Sequence, residues 1–204
     1  MFYDILDVRR KEILPLLANF KLDFYLAGGT GLALQFGHRD SIDFDFFTEQ
    51  AIDTVVLYEK IISVFADHRV EKIQEEKNTL SVFIDGSIKV SFFTYRYPLL
   101  EPCLDEPFFS IASMADIGCM KLSAIVSRST NKDYIDLYYI LKKISLADLL
   151  IMAEEKMPDL DTNLVLKSLV YFEDIVEEPI RFKGAFEVTL KRVEQFLIER
   201  VKNR

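Results

Sequence analysis

The stretch from Phe24 to Phe47 constrains this 204-residue chain more than any other. The apolar run Phe24-Tyr25-Leu26-Ala27 stops on Gly28-Gly29. A helical pattern resumes over Thr30–Phe36, and Ser41 to Phe47 then alternates strictly. A short buried strand must therefore turn tightly on two glycines into a helix and come back as a second strand. The alternation puts Ser41, Asp43 and Asp45 on one face of that second strand and Ile42, Phe44 and Phe46 on the other. An α/β arrangement is forced locally before the rest of the chain is considered.

Further strands are predicted at Val70–Ile73, Leu80–Ile84 and Ile88–Thr94, the last two joined by the turn signal Asp85-Gly86-Ser87. Helices are predicted over Met1–Phe20 with a weak point at Pro15, over Ile52–Phe65, and through almost everything after Phe109. In that second half the segments are Ala112–Val126, Lys132–Ile144 (with Thr130 and Asp133 in capping-box relation), a helix capped by Ser145, Asn163–Asp174 and Phe186–Lys202. The fold class is α/β (α+β): a mixed sheet with flanking helices and a C-terminal helical lobe. The expected division is a core over 1–104 and a helical lobe over 105–204, packed as one compact unit with the site in the cleft between them.

Composition narrows the function classes. Half the residues are hydrophobic and 28% are charged, which suits a globular chain able to bury a core. No apolar run is long enough to span a membrane and no leader pattern opens the sequence, so a cytoplasmic protein is expected. Cys103 and Cys119 have no partners at zinc spacing and read as reduced, buried thiols. The net charge of −8 argues against a surface that grips nucleic acid throughout. Charge is nevertheless segregated. Asp148–Glu178 holds nine acidic and two basic residues, whereas Arg181–Arg204 holds seven basic and three acidic. Solvated helix faces explain this most simply, and a basic C-terminal helix meeting phosphates is the alternative.

The chemistry concentrates at the opening segment. Backbone N–H groups at a Gly-Gly helix start point at incoming anions, and Thr30 adds a hydroxyl. Fourteen positions after Gly29, Asp43 and Asp45 project about 6–7 Å apart along a strand, placed to share divalent metal ions with a phosphate. The spacing is not that of a dinucleotide fingerprint, and no Gly-Lys-Ser/Thr of a P-loop follows. Phosphate-cradling amides beside an aspartate pair suit phosphoryl or nucleotidyl transfer with Mg²⁺ (or Mn²⁺).

Gly-Gly, a spacer and Asp-x-Asp on a strand resemble the signature of the DNA-polymerase-β-like nucleotidyltransferase superfamily. More narrowly, Ala27-Gly28-Gly29-Thr30 with His38-Arg39-x-Ser41-x-Asp43-x-Asp45-Phe46-Phe47 resembles the AbiEii nucleotidyltransferase family, toxins of type IV toxin–antitoxin or abortive-infection systems. Lys121, Arg128 and Lys132-Asp133-Tyr134-Ile135-Asp136-Leu137 match that family's second-half pattern, so the resemblance covers about Leu22 to Ile144. It implies an NTP substrate bound with Mg²⁺. Gly28, Gly29, Thr30, Arg39, Ser41 and Lys121 would hold its phosphates, and Asp43 and Asp45 the metal. Asp133 or Asp136 would complete the catalytic set as a base or an orienting group. It further implies an RNA acceptor, such as a tRNA end, and an antitoxin encoded nearby. Read without the resemblance, Lys121 is a snorkelling surface lysine, and Lys132 with Asp136 an i,i+4 pair. One departure stands out. Superfamily members place a third carboxylate on a later strand, where this chain has Ser91, so a catalytically impaired nucleotide-binding or regulatory module is the alternative.

Overall fold

The computed structural model describes residues 1–204. The N-terminal segment forms two short helices, α1 (Val8–Glu12) and α2 (Leu14–Leu17), and Pro15 sits in the first turn of α2, where its missing N–H costs nothing. Strand β1 (Tyr25–Leu26) leads into α3 (Gly28–Phe36), which takes in both glycines, and β2 (Phe44–Thr48) follows. Then come α4 (Thr54–Val64), the antiparallel strands β3 (Val70–Glu76), β4 (Thr79–Ile84) and β5 (Ile88–Thr94), and the short strands β6 (Leu104–Asp105) and β7 (Ser110–Ile111). The rest is helical: α5 (Met114–Ser127), α6 (Asn131–Ile140), α7 (Leu146–Lys156), α8 (Thr162–Ser168) and α9 (Leu190–Lys202).

The seven strands form one mixed sheet in the order β3-β4-β5-β2-β1-β7-β6. Strand β2 pairs antiparallel with β1 and parallel with β5, with Asp45 in register with Ser91. The sheet thus continues past the boundary expected at 104, which falls on β6. Alternation in β2 works as predicted from Phe44 onward: Phe44 and Phe46 are fully buried in a cluster shared with Val90, Phe92 and Phe109, while Asp45 faces the other way. A second cluster joins α5–α9 to Tyr25, Ala27 and Leu32, so α3 contributes to both cores.

Several boundaries differ from expectation for local reasons. Residues 41–43 are not strand, and Ile42 is exposed. Side chains take the carbonyls a ladder would use: Arg10 Nε donates to Ile42 O at 2.7 Å, and the Thr30 hydroxyl donates to Asp43 O. Helix α8 stops at Ser168, whose carbonyl lies 2.9 Å from the Tyr134 hydroxyl, short of the predicted Asp174. Helix α9 starts four residues after Phe186, capped by Thr189, because the Phe186 carbonyl accepts from the Tyr139 hydroxyl. Tyr138 packs edge-on against Phe196, with ring centroids 4.8 Å apart, so this aromatic run joins helices together. Cys119 is buried and Cys103 only half-buried; both are free thiols.

Candidate active site

Three glycines let the start of α3 pack closely on β2, on the Arg39 side chain and on β1. Gly28 has φ +62°, a left-handed conformation that favours glycine, and a Cβ there would sit 3.2 Å from Asp45 Oδ2. A Cβ on Gly29 would lie 2.6 Å from Arg39 Nη2, and one on Gly31 3.3 Å from the Leu26 carbonyl. Ala27 donates its N–H to Asp45 O at 3.1 Å but offers no side-chain acceptor to the helix. The N–H groups of Gly28, Gly29 and Thr30 therefore stay unpartnered at the positive end of the helix, beside Asp45. The Thr30 side chain is buried. Its hydroxyl binds Asp43 O and lies 2.7 Å from Ser41 Oγ, so it fixes the 41–43 segment and leaves only its backbone for an anion.

Asp43 and Asp45 line a cleft of about 890 Å³ between the sheet and helices α5 and α6. Gly28, Gly29, Arg39, Ser41, Lys121 and Asp133 line it too; Thr30 and Asp136 do not. Burial first, and then the like charge of Asp43, push the Asp45 carboxyl above its ordinary range, against the pull of Lys89, Lys121 and Arg128. No cluster of three or more His, Cys, Asp or Glu side chains is placed to hold a metal. Mg²⁺ nevertheless commonly takes one or two carboxylates and completes its shell with phosphate and water. Asp43 and Asp45 fit such an ion, since a divalent cation would relieve the repulsion the pair carries.

Behind the cleft lies an ion network that periodicity alone does not reveal. Asp136 is fully buried and accepts from Arg39 Nε and Nη2 (both 2.8 Å) and His38 Nε2 (2.9 Å), with Lys121 Nζ at 2.7 Å from it. Lys121 also reaches Asp133 at 2.7 Å, and Asp133 accepts from Arg128 Nε (3.0 Å) and the Thr130 hydroxyl (2.8 Å). Burial opposes the ionised form of Asp136, but Arg39, Lys121 and the His38 bond override it and hold the carboxyl well below its usual range. Asp133 is likewise held low against burial, by Lys121 and Arg128. Burial lowers His38 against its bond to Asp136 and so favours the neutral ring, whose tautomer that donates to Asp136 carries its proton on Nε2.

These contacts correct several expectations. Lys121 is buried, not snorkelling, because two carboxylates compensate its charge. Lys132 pairs with Glu178 at 2.6 Å and not with Asp136, which points inward. The Thr130–Asp133 capping box does not form, since Asp133 turns to Lys121 and Arg128. Asp136 is fully buried behind the cations it binds and does not line the cleft, so the structure places it as the counter-charge that positions Arg39 and Lys121. Sequence reading missed three contributors. Lys89 lies on the cleft face of β5, and the period-2 pattern that singled out Ser91 could have found it. Glu178 and Arg181 line the cleft from an extended segment that hydrogen-bonds Asn131 at one end and the backbone of His38 and Asp40 at the other. No local pattern marks that segment.

A mixed sheet carrying an aspartate pair against an uncapped helix N-terminus is a nucleotidyltransferase fold. Solved structures with this fold include MenT4, a nucleotidyltransferase toxin of Mycobacterium tuberculosis H37Rv (TM-score 0.65, 16% identity, 98% of this chain and 83% of that one). JHP933 of Helicobacter pylori is another (TM-score 0.61, 17% identity, 96% and 90%). In sequence the chain is 41% identical over 186 residues to an uncharacterized protein of Aquifex aeolicus (strain VF5), covering 88% of this chain and 87% of that one. The family model described as "Nucleotidyl transferase AbiEii toxin, Type IV TA system" matches residues 16–200, and the chain belongs to that family. The match extends through the C-terminal helices, beyond the stretch that carried the sequence resemblance.

Proposed function

We propose that the protein binds an NTP with Mg²⁺ (or Mn²⁺) in the cleft and transfers its nucleoside monophosphate to a hydroxyl of RNA, a tRNA end being the first candidate. The observation that carries this reading is the pair Asp43 and Asp45, free of any cationic partner within 4.0 Å, beside the unpartnered N–H groups of Gly28 and Gly29. Bound at the pair, the metal would supply charge neutralisation at the transferring phosphate. Gly28 and Gly29 hold phosphate oxygens through their amides, and Asp43 and Asp45 hold the ion. Lys121 and Arg39 line the cleft with charge that Asp133 and Asp136 keep in place. The acceptor oxygen bonds to the α-phosphorus, the α–β bridging bond breaks and pyrophosphate leaves. The acceptor's proton passes to a carboxylate of the aspartate pair. Family membership points to a toxin of a two-gene system whose antitoxin is encoded nearby. No helix is long and apolar enough to cross a membrane, and a cytoplasmic location suits an RNA acceptor.

The test is label transfer from each α-labelled NTP to total RNA, with Asp43→Ala in parallel. A discrete labelled RNA band lost in the variant supports the reading and identifies base and acceptor. The alternative, a nucleotide-binding module without turnover, is favoured by one observation: the position in register with Asp45 is Ser91, whose hydroxyl is buried without a partner. NTP binding with no transfer to RNA and no pyrophosphate release would establish that alternative.

A further inference from the structure

The cleft is lined by six cationic side chains, and five of them are committed. Arg39 binds Asp136, Lys121 binds Asp133 and Asp136, Arg128 binds Asp133, Lys132 binds Glu178, and Arg181 lies 3.5 Å from Asp40. The sixth, Lys89, has no carboxylate within 4.0 Å and makes no side-chain hydrogen bond. The cleft carboxylates divide the same way. Asp7, Asp40, Asp133 and Glu178 have cationic partners, and Asp43 and Asp45 have none. The cleft charges without an ion-pair partner are thus two carboxylates and one ammonium, a set that suits a divalent cation together with a polyanion.

Position supports this. Lys89 stands two residues before Ser91 on β5, on the same cleft face. The parallel register of Phe44 with Val90 sets Lys89 alongside Asp43, whereas Gly28 closes on Asp45. Lys89 and the start of α3 therefore flank the aspartate pair from opposite sides. With the α-phosphate held on the α3 amides beside Asp45, the β- and γ-phosphates would extend past Asp43 toward Lys89, whereas the single phosphate of a monophosphate would stay on the amides. The position beside Asp45, where a further carboxylate could recruit another cation, holds the neutral Ser91.

We propose that Lys89 is a binding site for the polyphosphate tail of the nucleotide, supplying with a fixed ammonium the charge that a carboxylate-bound cation would otherwise bring to that side of the cleft. The inference rests on the cleft binding an NTP, as proposed above. It is tested by calorimetric titration of the full chain with each of the four NTPs and the matching NMPs in Mg²⁺. A charge-assisted phosphate contact is worth ~1.5–3 kcal/mol, so Lys89→Met is expected to weaken NTP binding about tenfold or more. NMP binding should change less than about twofold, since an NMP does not reach Lys89, and Lys89→Arg, which keeps the cation, should bind NTP within about threefold of wild type. Lys89→Gln replaces Lys89→Met if the latter melts early. Unchanged NTP binding in Lys89→Met, or equal weakening of NTP and NMP, overturns the Lys89 assignment while leaving the proposed function standing. A wild-type protein that binds no NTP overturns both.

Discussion

Asp136→Ala is the perturbation that tests the interior behind the cleft. The carboxylate has no solvent exposure and accepts four short contacts, two from Arg39 and one each from Lys121 and His38. Its removal does not strand every partner. Lys121 keeps Asp133 at 2.7 Å, and neutral His38 can be left without a counter-charge. Arg39 is the group that suffers, because it is buried and has no other carboxylate. The cost is then that of one orphaned buried cation, ~3–5 kcal/mol. At ~2–4 °C per kcal/mol for a domain of this size, Tm should fall by ~6–20 °C. Asp133→Ala should cost less, ~1–2 kcal/mol, since Lys121 retains Asp136 and the Arg128 side chain is 65% exposed. The double variant Arg39→Met with Asp136→Met should recover ~2 kcal/mol or more of the single-variant loss, because no charge remains stranded. Urea titration of the wild type, Arg39→Met, Asp136→Met and the double variant gives the cycle. A loss below ~1 kcal/mol for Asp136→Ala, or additive single effects, would refute the buried-network argument.

Other expectations follow from the same contacts. Both Asp133 and Asp136 are held below the ordinary carboxylate value, so their stabilisation is complete above about pH 4 and is lost as pH falls through their lowered values. Acid unfolding of the wild type should therefore be steeper than that of Asp136→Asn, measured by circular dichroism from pH 6 to pH 2. Asp45 has the opposite sign: its raised carboxyl means that ionisation costs stability as pH rises, so Asp45→Asn should raise Tm at pH 7 while abolishing label transfer. Gly28→Ala meets a left-handed φ and Asp45 Oδ2 at 3.2 Å, and should lose ~1–2 kcal/mol along with nucleotide binding. Ser91→Ala removes a buried hydroxyl that has no partner, so stability should stay within ~1 kcal/mol or rise, and a large loss in denaturant titration would contradict the packing described.

By itself the sequence determined the local geometry on which the site is built. Glycines followed by a helical period dictate the β1–α3 turn, because the left-handed φ of Gly28 favours glycine and a Cβ there would crowd Asp45. Period-2 alternation from Phe44 dictates that Asp45 faces away from the core, and a cap such as Ser145 is read from the residues next to it. Spacing could not show which charges are spent. Lys121 lies on an apolar helix and Asp136 four residues after Lys132, and these patterns are equally those of a surface lysine and an i,i+4 pair. Only the packing of α5 and α6 against the His38–Arg39 loop buries the carboxylates. A buried charge must be paired, so Arg39, Lys121 and Arg128 are drawn to Asp133 and Asp136. The same packing leaves Asp43, Asp45 and Lys89 without partners in the cleft. That distinction depends on contacts between residues distant in the chain, such as Arg39 with Asp136, 97 positions apart, and no window along the sequence spans them.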